Sequence, residues 1–188
     1  GYGGSCFPKD TRALVYLADE VGYDLTVVKA VENVNRFQKE HVLTHVLDYF
    51  GNDLSNKKIA ILGLSFKPNT DDTRESSALV IIEQLLAAGA GVSACDPEVK
   101  RLTKFESYPS FGIVTNAYEA ADQADAVILV TEWNAYRELD LHRLKEGMKQ
   151  AVFFDLRNVY APEKLVKAGF NAYVLGRQLL KAPVSLNV

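Results

Sequence analysis

From Lys58 onward the sequence alternates between short apolar runs and longer stretches of helical pattern, and this alternation limits the possible folds more than any other feature. The apolar runs are Lys58 to Gly63, Val92 to Cys95, Gly112 to Thr115, Ala126 to Val130, Val152 to Leu156 and Ala172 to Leu175. Each is too short for an ordinary helix and rich in aliphatic residues, which suits strands buried on both faces. Between them, Ser76 to Ala88, Glu98 to Phe105, Ala117 to Gln123, Leu141 to Lys149 and Pro162 to Ala168 read as helices, with Gly89, Gly91 and Gly169 as stops. Strands alternating with helices imply an α/β fold, a doubly wound, Rossmann-like parallel sheet with helices on both faces. Gly112 to Thr115 is expected at the sheet edge.

The first 51 residues follow another pattern. Residues 9 to 22 read as a helix that ends at Gly22. Asp24 or Thr26 then caps a longer helix that runs to about Phe50, with Gly51 as its stop. Val27, Val28, Val31, Val34, Phe37, Val42, Val46 and Tyr49 recur at steps of three and four and form one apolar stripe. A helix of about 24 residues is roughly 36 Å long, which suggests a strut between domains or a subunit interface; an ordinary packing helix is the alternative. Asn52 to Lys57 is a polar linker. The expected division is therefore residues 1–51, a helical segment, and residues 52–188, the sheet domain. The tail from Gly176 to Val188 has little periodicity and is expected to be mobile.

A net charge of −3 over 188 residues gives no basic field for nucleic acid or anionic lipid. No apolar run reaches the roughly 18–20 residues that span a bilayer, and no signal peptide is visible. Neither membrane nor nucleic acid is an expected partner. Cys6 and Cys95 give no disulfide framework, and no Cys/His cluster has zinc spacing. His41 and His45 stand four apart without the acidic residue and third ligand of a zincin, so a solvated helix face is expected and no metal. A reducing cytoplasm is the natural setting. Cys95 ends an apolar strand and reads as a small core residue.

The chemistry concentrates at the start, in Gly1-Tyr2-Gly3-Gly4-Ser5-Cys6-Phe7-Pro8-Lys9-Asp10. Glycines let the loop fold tightly against a ligand, and Pro8 suits the first helical position. Cys6 would then sit just before a helix N-terminus, where the helix dipole and Lys9 are expected to favour thiolate. Asp10, one turn on, could hold or deprotonate a water. A nucleophile with an activating environment and a nearby base is the pattern of covalent catalysis; a glycine turn around an inert buried cysteine is the other reading. The chain opens on Gly rather than Met, inside this loop, and so reads as the C-terminal part of a longer protein.

A second constellation follows the first strand: Gly63-Leu64-Ser65-Phe66-Lys67-Pro68-Asn69-Thr70-Asp71-Asp72-Thr73-Arg74-Glu75-Ser76. A dinucleotide fold would carry Gly-x-Gly-x-x-Gly here, and only the first glycine is present. The loop reads as a modified site for a nucleotide diphosphate, with Lys67 supplying positive charge. Alternatively Asp71, Asp72 and Glu75 pair with Lys67 and Arg74. Arg157, at the end of the Val152 to Leu156 strand, has a fork suited to a phosphate or uracil carbonyl; a surface ion pair is the alternative. Trp133 is assigned to packing.

These segments, with Phe154-Asp155-Leu156-Arg157-Asn158, closely resemble in content and order the hallmark motifs of the UDP-glucose dehydrogenase family of nucleotide-sugar 6-dehydrogenases. The resemblance runs from Gly1 to about Gly176. It implies that Cys6 carries the sugar as a thiohemiacetal and then a thioester, and that Asp10 assists hydrolysis. It implies that Gly3, Phe7, Phe66, Lys67 and Arg157 contact the UDP-sugar, while Lys9 and Arg74 reach the cofactor, NAD. Asn33, Asn35, Arg36, Gln38 and Lys39 resemble the polar stretch of the family's central helix, which joins the two nucleotide-binding domains and helps form a homodimer. The NAD-binding domain would lie upstream of this chain, leaving the isolated fragment inactive. UDP-N-acetylmannosamine or GDP-mannose are alternative substrates, and a sugar-nucleotide-binding module without catalysis is the reading from another class. A cysteine hydrolase would need a histidine base near Cys6, and His41, His45 and His142 are not placed by sequence to serve.

Overall fold

The computed structural model describes residues 1–182. Helices α1 (Phe7–Glu20), α2 (Thr26–Glu40) and α3 (Val42–Phe50) come first. The sheet domain follows as β1 (Lys58–Leu62), α4 (Ser77–Ala87), β2 (Gly91–Cys95), β3 (Phe111–Ile113), α5 (Ala117–Ala121), β4 (Ala126–Leu129), α6 (Asn134–Arg137), α7 (Leu141–Glu146), β5 (Val152–Asp155), α8 (Pro162–Lys167) and β6 (Asn171–Val174). All five pairings are parallel, in the order β3-β2-β1-β4-β5-β6. The expected doubly wound α/β sheet is thus present, with β3 at its edge.

Alternation along each strand sends side chains to two cores. Ile59, Ile61, Ile128 and Phe154 pack with Ile82 and Leu85 of α4 and with Val42 and Val46 of α3. Ala60, Leu62, Val127, Leu129 and Phe153 pack on the other face with Ala120, Leu144, Leu165 and Phe170. Each fully buried aliphatic or aromatic side chain here contributes roughly 1.5–3 kcal/mol. Ser76 caps α4 by accepting from the Ala78 N–H at 3.2 Å. Because order reverses between β1 and β4, the loops after these strands flank the crevice where such sheets bind ligands.

Several expectations need correction. The long helix is assigned as two helices that meet at His41, which keeps helical angles and donates its N–H to the Phe37 carbonyl at 2.8 Å. Its apolar stripe does not face one core. Val42 and Val46 are buried, whereas Val27, Val31, Val34 and Phe37 of α2 are exposed, and the buried residues of α2 are Asn35 and Lys39. Leu25, not Asp24 or Thr26, occupies the cap position of α2, and no side chain caps it. The first helix starts at Phe7 and ends at Glu20, two residues earlier at each end than residues 9–22, so Pro8 is its second residue. Glu98 to Phe105 is not a helix beyond a single 3₁₀ turn at Thr103–Phe105, although Asp96 accepts the Glu98 and Val99 N–H groups as a helix N-cap would. His41 and His45 are not a solvated face. His41 stacks on Phe37 at 4.8 Å and His45 on Tyr173 at 4.4 Å, with half-buried rings. Cys95 is buried, as expected, and burial pushes its thiol pKa up. The tail folds back, Leu180 pairing antiparallel with Ala172; the expectation of mobility otherwise falls on residues 183–188, outside the described ones.

Candidate active site

Cys6 is the N-cap of α1 and is solvent-exposed. The helix begins at once because Pro8 supplies a fixed φ and needs no hydrogen-bond acceptor. The Asp10 N–H donates to the Cys6 carbonyl at 2.8 Å, which sets the carboxyl-bearing residue one turn behind the sulfur. The Asp10 carboxylate pairs with the Lys9 ammonium, and Ser5 Oγ lies 3.7 Å from Cys6 Sγ.

The cysteine loop lies flat on the loop that follows β1. The Gly4 N–H donates to the Arg74 carbonyl at 2.8 Å. A Cβ on Gly3 would stand 2.4 Å from the Glu75 carbonyl oxygen, and one on Gly4, whose φ is +92°, would stand 2.8 Å from the Phe66 ring. Both positions therefore require glycine: Gly3 for close approach, Gly4 for approach and left-handed backbone. Beneath them Phe66 is half-buried, with the Lys67 ammonium 5.3 Å from its ring centroid.

Glu75 joins the loop to the helices. It has a left-handed φ of 56°. Its carbonyl accepts from Lys39 Nζ at 2.9 Å, and its carboxylate meets Arg12 at 2.6 Å and Lys39 at 3.6 Å. Arg12 also faces Glu32 at 3.7 Å, and the Tyr2 and Thr11 hydroxyls donate to Glu32. Asn35 accepts the Tyr2 N–H at 2.6 Å and donates to the Tyr2 carbonyl at 3.2 Å. The polar face of α2 is thus buried because it carries the cysteine loop. Burial lowers the Lys39 pKa, and Glu75 opposes that shift without cancelling it.

The Arg12 hydrogen bond holds the Glu75 carboxyl below its ordinary value of 4.5. Its contribution is present above that value and is lost as pH falls below it, because the unfolded chain then binds more protons than the native one. Glu75→Gln is expected to flatten the acid limb of a plot of Tm against pH in this window. Equal acid slopes for variant and parent would remove Glu75 from this role.

The remaining residues expected from sequence spread along the carboxyl edge of the sheet. A cleft of about 330 Å³ is lined by Gly4, Ser5, Pro8, Lys9, Arg12, Arg74 and Glu75. It brings three cationic side chains to the loop that carries Cys6. Arg74 forks onto Asp72 at 2.9 and 2.8 Å, while Glu75 turns away to Arg12 and Lys39 and Lys67 covers Phe66. Charge pairing within this loop is therefore confined to Arg74 and Asp72 among the pairs considered. Arg157 forks onto Glu132 at 2.6 and 2.8 Å. Burial pushes the Glu132 pKa up, but the Arg157 bonds outweigh it and the net shift is downward. Of the expected site residues only Lys9 and Arg74 line the cleft, whereas Gly3, Cys6, Phe7, Asp10, Phe66, Lys67 and Arg157 do not; Phe7 packs edge-on against Tyr2 at 4.6 Å. No group of three or more His, Cys, Asp or Glu that could hold a metal occurs among the described residues, and no helix among them is long and apolar enough to cross a membrane.

The sequence marks Lys39 only as part of a polar helical stretch and Glu75 only as a charge within its loop, and it gives Asp96 no role. Glu32, Asn35 and Lys39 do recur at helical spacing opposite the valines of α2, and that polar stripe was the available signal.

Residues 60–162 match the UDP binding domain of the UDP-glucose/GDP-mannose dehydrogenase family, and residues 1–37 match that family's central domain. The chain belongs to this family. A UDP-glucose 6-dehydrogenase of Rhizobium meliloti is 42% identical over 177 residues, 94% of this chain and 40% of the relative. One from Pseudomonas aeruginosa is 39% identical over 183 residues, again 94% and 40%. The chain therefore spans about 40% of the length of these curated relatives. Among solved structures, a UDP-glucose dehydrogenase of Pyrobaculum islandicum aligns with a TM-score of 0.72 at 34% identity over 82% of this chain and 34% of that one. An NDP-N-acetyl-D-galactosaminuronic acid dehydrogenase of Methanosarcina mazei aligns with a TM-score of 0.80 at 28% identity over 95% and 39%. The family's UDP binding domain is therefore the sheet from β1 through the start of α8, and its central domain holds α1 and most of α2.

Proposed function

We propose that the complete protein oxidises UDP-glucose to UDP-glucuronate, and that this chain supplies the nucleophile and the UDP-sugar domain. The observation that carries this reading is the exposed Cys6 at a helix N-terminus, with Asp10 one turn on, seated by the Gly4–Arg74 bond on the loop of the UDP binding domain. The UDP-glucose 6-dehydrogenases at 42% and 39% identity point the same way.

The cofactor in this reading is NAD, two molecules per sugar, and its chemistry is hydride acceptance. The turn after β1 does not fit a dinucleotide: it has one glycine, and its Leu64 and Ser65 N–H groups are bonded to Asp96. The cationic rim of Lys9, Arg12 and Arg74 fits the anionic edge of one. Lys9 and Arg74 would exchange Asp10 and Asp72 for that edge, while the main NAD-binding domain lies outside this chain. Phe66, Lys67 and Arg157 hold the UDP moiety, and Gly3 and Phe7 border the sugar.

Once the C6 alcohol has lost one hydride and its hydroxyl proton to become an aldehyde, Cys6 Sγ adds to it, forming a C–S bond as the carbonyl pair moves to oxygen. Oxidation of that adduct leaves a thioester. Asp10 orients a water onto the thioester carbon and takes one of its protons; the C–S bond breaks, sulfur leaves as thiolate, the sugar leaves as carboxylate and the second proton passes to solvent. Sulfur suits both halves because it adds to an aldehyde and departs from a thioester.

The exposed valines of α2 support a homodimer, the second copy covering them, and two unpaired cysteines support a reducing cytoplasm. Structures of a UDP-N-acetylmannosamine dehydrogenase and a GDP-mannose dehydrogenase align at 26% and 25% identity, which keeps those sugars as the second reading. The test is NAD reduction by the complete protein with UDP-glucose, UDP-N-acetylmannosamine and GDP-mannose, with its mass in solution measured alongside. Two NAD reduced per UDP-glucose by a dimer is the expected result, with none reduced by the isolated chain. Preference for another sugar, or binding without reduction, would overturn the reading.

A further inference from the structure

Asp96 follows β2 directly and is buried, with 1% of its surface exposed. In a dinucleotide sheet two features cooperate at this edge: turn amides after the first strand receive the pyrophosphate, and an acid near the end of the second strand reads the ribose. Here the two are bonded to each other. Oδ2 of Asp96 accepts from the Leu64 N–H at 2.7 Å, the Ser65 N–H at 3.1 Å, the Ser65 hydroxyl at 3.3 Å and the Trp133 indole N–H at 3.1 Å. Oδ1 accepts from the Glu98 and Val99 N–H groups at 2.9 and 3.0 Å. The carboxyl group takes the donors that would otherwise face a phosphate.

We infer that Asp96 is a positioning and specificity residue for the nucleotide site: an internal acid that takes the phosphate's place on the turn, closing it to a dinucleotide and leaving the diphosphate to side chains. This rests on the reading of Lys67 and Arg157 as UDP ligands. Through Leu64 and Ser65, Asp96 fixes the start of the loop that presents Phe66 and Lys67. Through Trp133 it fixes the loop after β4 that presents Glu132, the partner of Arg157. The Thr131 hydroxyl locks the two loops together by donating to the Ser65 carbonyl at 2.7 Å. One buried carboxyl group thus braces two loops, one that presents Lys67 and one that holds the partner of Arg157. A site whose cations are held at fixed spacing binds a diphosphate more tightly, because less ordering remains to be done on binding.

The test uses the complete protein, with UDP as the probe in calorimetric titration. Asp96→Asn keeps the shape but turns an NH₂ toward N–H donors, leaving buried polar groups unsatisfied. Its Kd for UDP is expected to rise at least about tenfold, a loss within the range for such groups. The KM for UDP-glucose should rise with it, while kcat at saturation and the KM for NAD stay within about threefold. Added formate should restore UDP binding to Asp96→Ala by returning a carboxylate to the turn. Trp133→Phe, which removes a single donor and keeps a ring in the packing, should weaken UDP about threefold and decides the matter if the Asp96 variants do not fold. Parental UDP affinity in folded Asp96→Asn, or in Trp133→Phe where Asp96→Asn is unfolded, overturns the inference. A parent protein that does not bind UDP overturns the underlying reading of the site, and the inference falls with it.

Discussion

Cys6→Ala in the complete protein is expected to lower turnover of UDP-glucose by roughly 10³- to 10⁶-fold, the scale seen when an enzyme loses its nucleophile, with the Kd for UDP within about twofold of the parent. Affinity should hold because the sulfur is exposed and, among the described residues, its one side-chain hydrogen-bond contact is Ser5 Oγ at 3.7 Å, so its loss leaves no cavity. Turnover should collapse because, among the described residues, no other thiol is placed to hold the sugar between its two oxidations; the second cysteine, Cys95, is buried at the end of β2. Cys6→Ser tests the chemistry further. A hydroxyl is a poor nucleophile near neutrality and a poor leaving group from an ester, so serine should recover little. Turnover above about a tenth of the parent rate in Cys6→Ala would show that Cys6 is not the nucleophile.

Gly3→Ala is expected to cost about 1–3 kcal/mol of stability and, separately, about a hundredfold in turnover. The new Cβ would stand 2.4 Å from the Glu75 carbonyl oxygen and 2.9 Å from its carbon. Backbone cannot swing aside as a side chain can. Glu75 is also pinned from below by Lys39 and from the side by Arg12, so the cysteine loop has to lift. A displacement of about 1 Å at a reacting group costs on the order of 10²-fold in rate. Alkylation of Cys6 separates displacement from unfolding: the thiol stays exposed and should react as in the parent while turnover falls. If Gly3→Ala keeps parental turnover, the seating of the loop on Glu75 does not matter for catalysis.

Much of the sheet domain was readable in advance because a strand buried on both faces leaves an unmistakable mark: Ile59 to Leu62 and Ala126 to Leu129 have no polar residue to confuse the pattern. Local rules failed where helix signals did not propagate. Asp96 accepts the Glu98 and Val99 N–H groups as a helix N-cap would, yet only a 3₁₀ turn at Thr103–Phe105 forms. They failed differently in α2. Its valines form an apolar stripe, but what this chain buries is the opposite side, Asn35 and Lys39. Periodicity reports that a helix has two faces and does not report which one finds a partner.

At the candidate site, residue types and order were fully written in the chain: Cys6 beside Pro8, Asp10 one turn on, and a glycine-poor turn after β1 that argued against a dinucleotide. Sequence alone determined these because they depend on neighbours within a few residues, where backbone geometry and capping rules apply. Only the tertiary structure decided that Gly3 and Gly4 rest on Glu75 and Phe66, that Lys39 braces that seat, and that Asp96 occupies the turn. Those contacts join residues between about 30 and 70 positions apart, and their spacing is set by how strands and helices stack, a quantity that no local run of residues encodes.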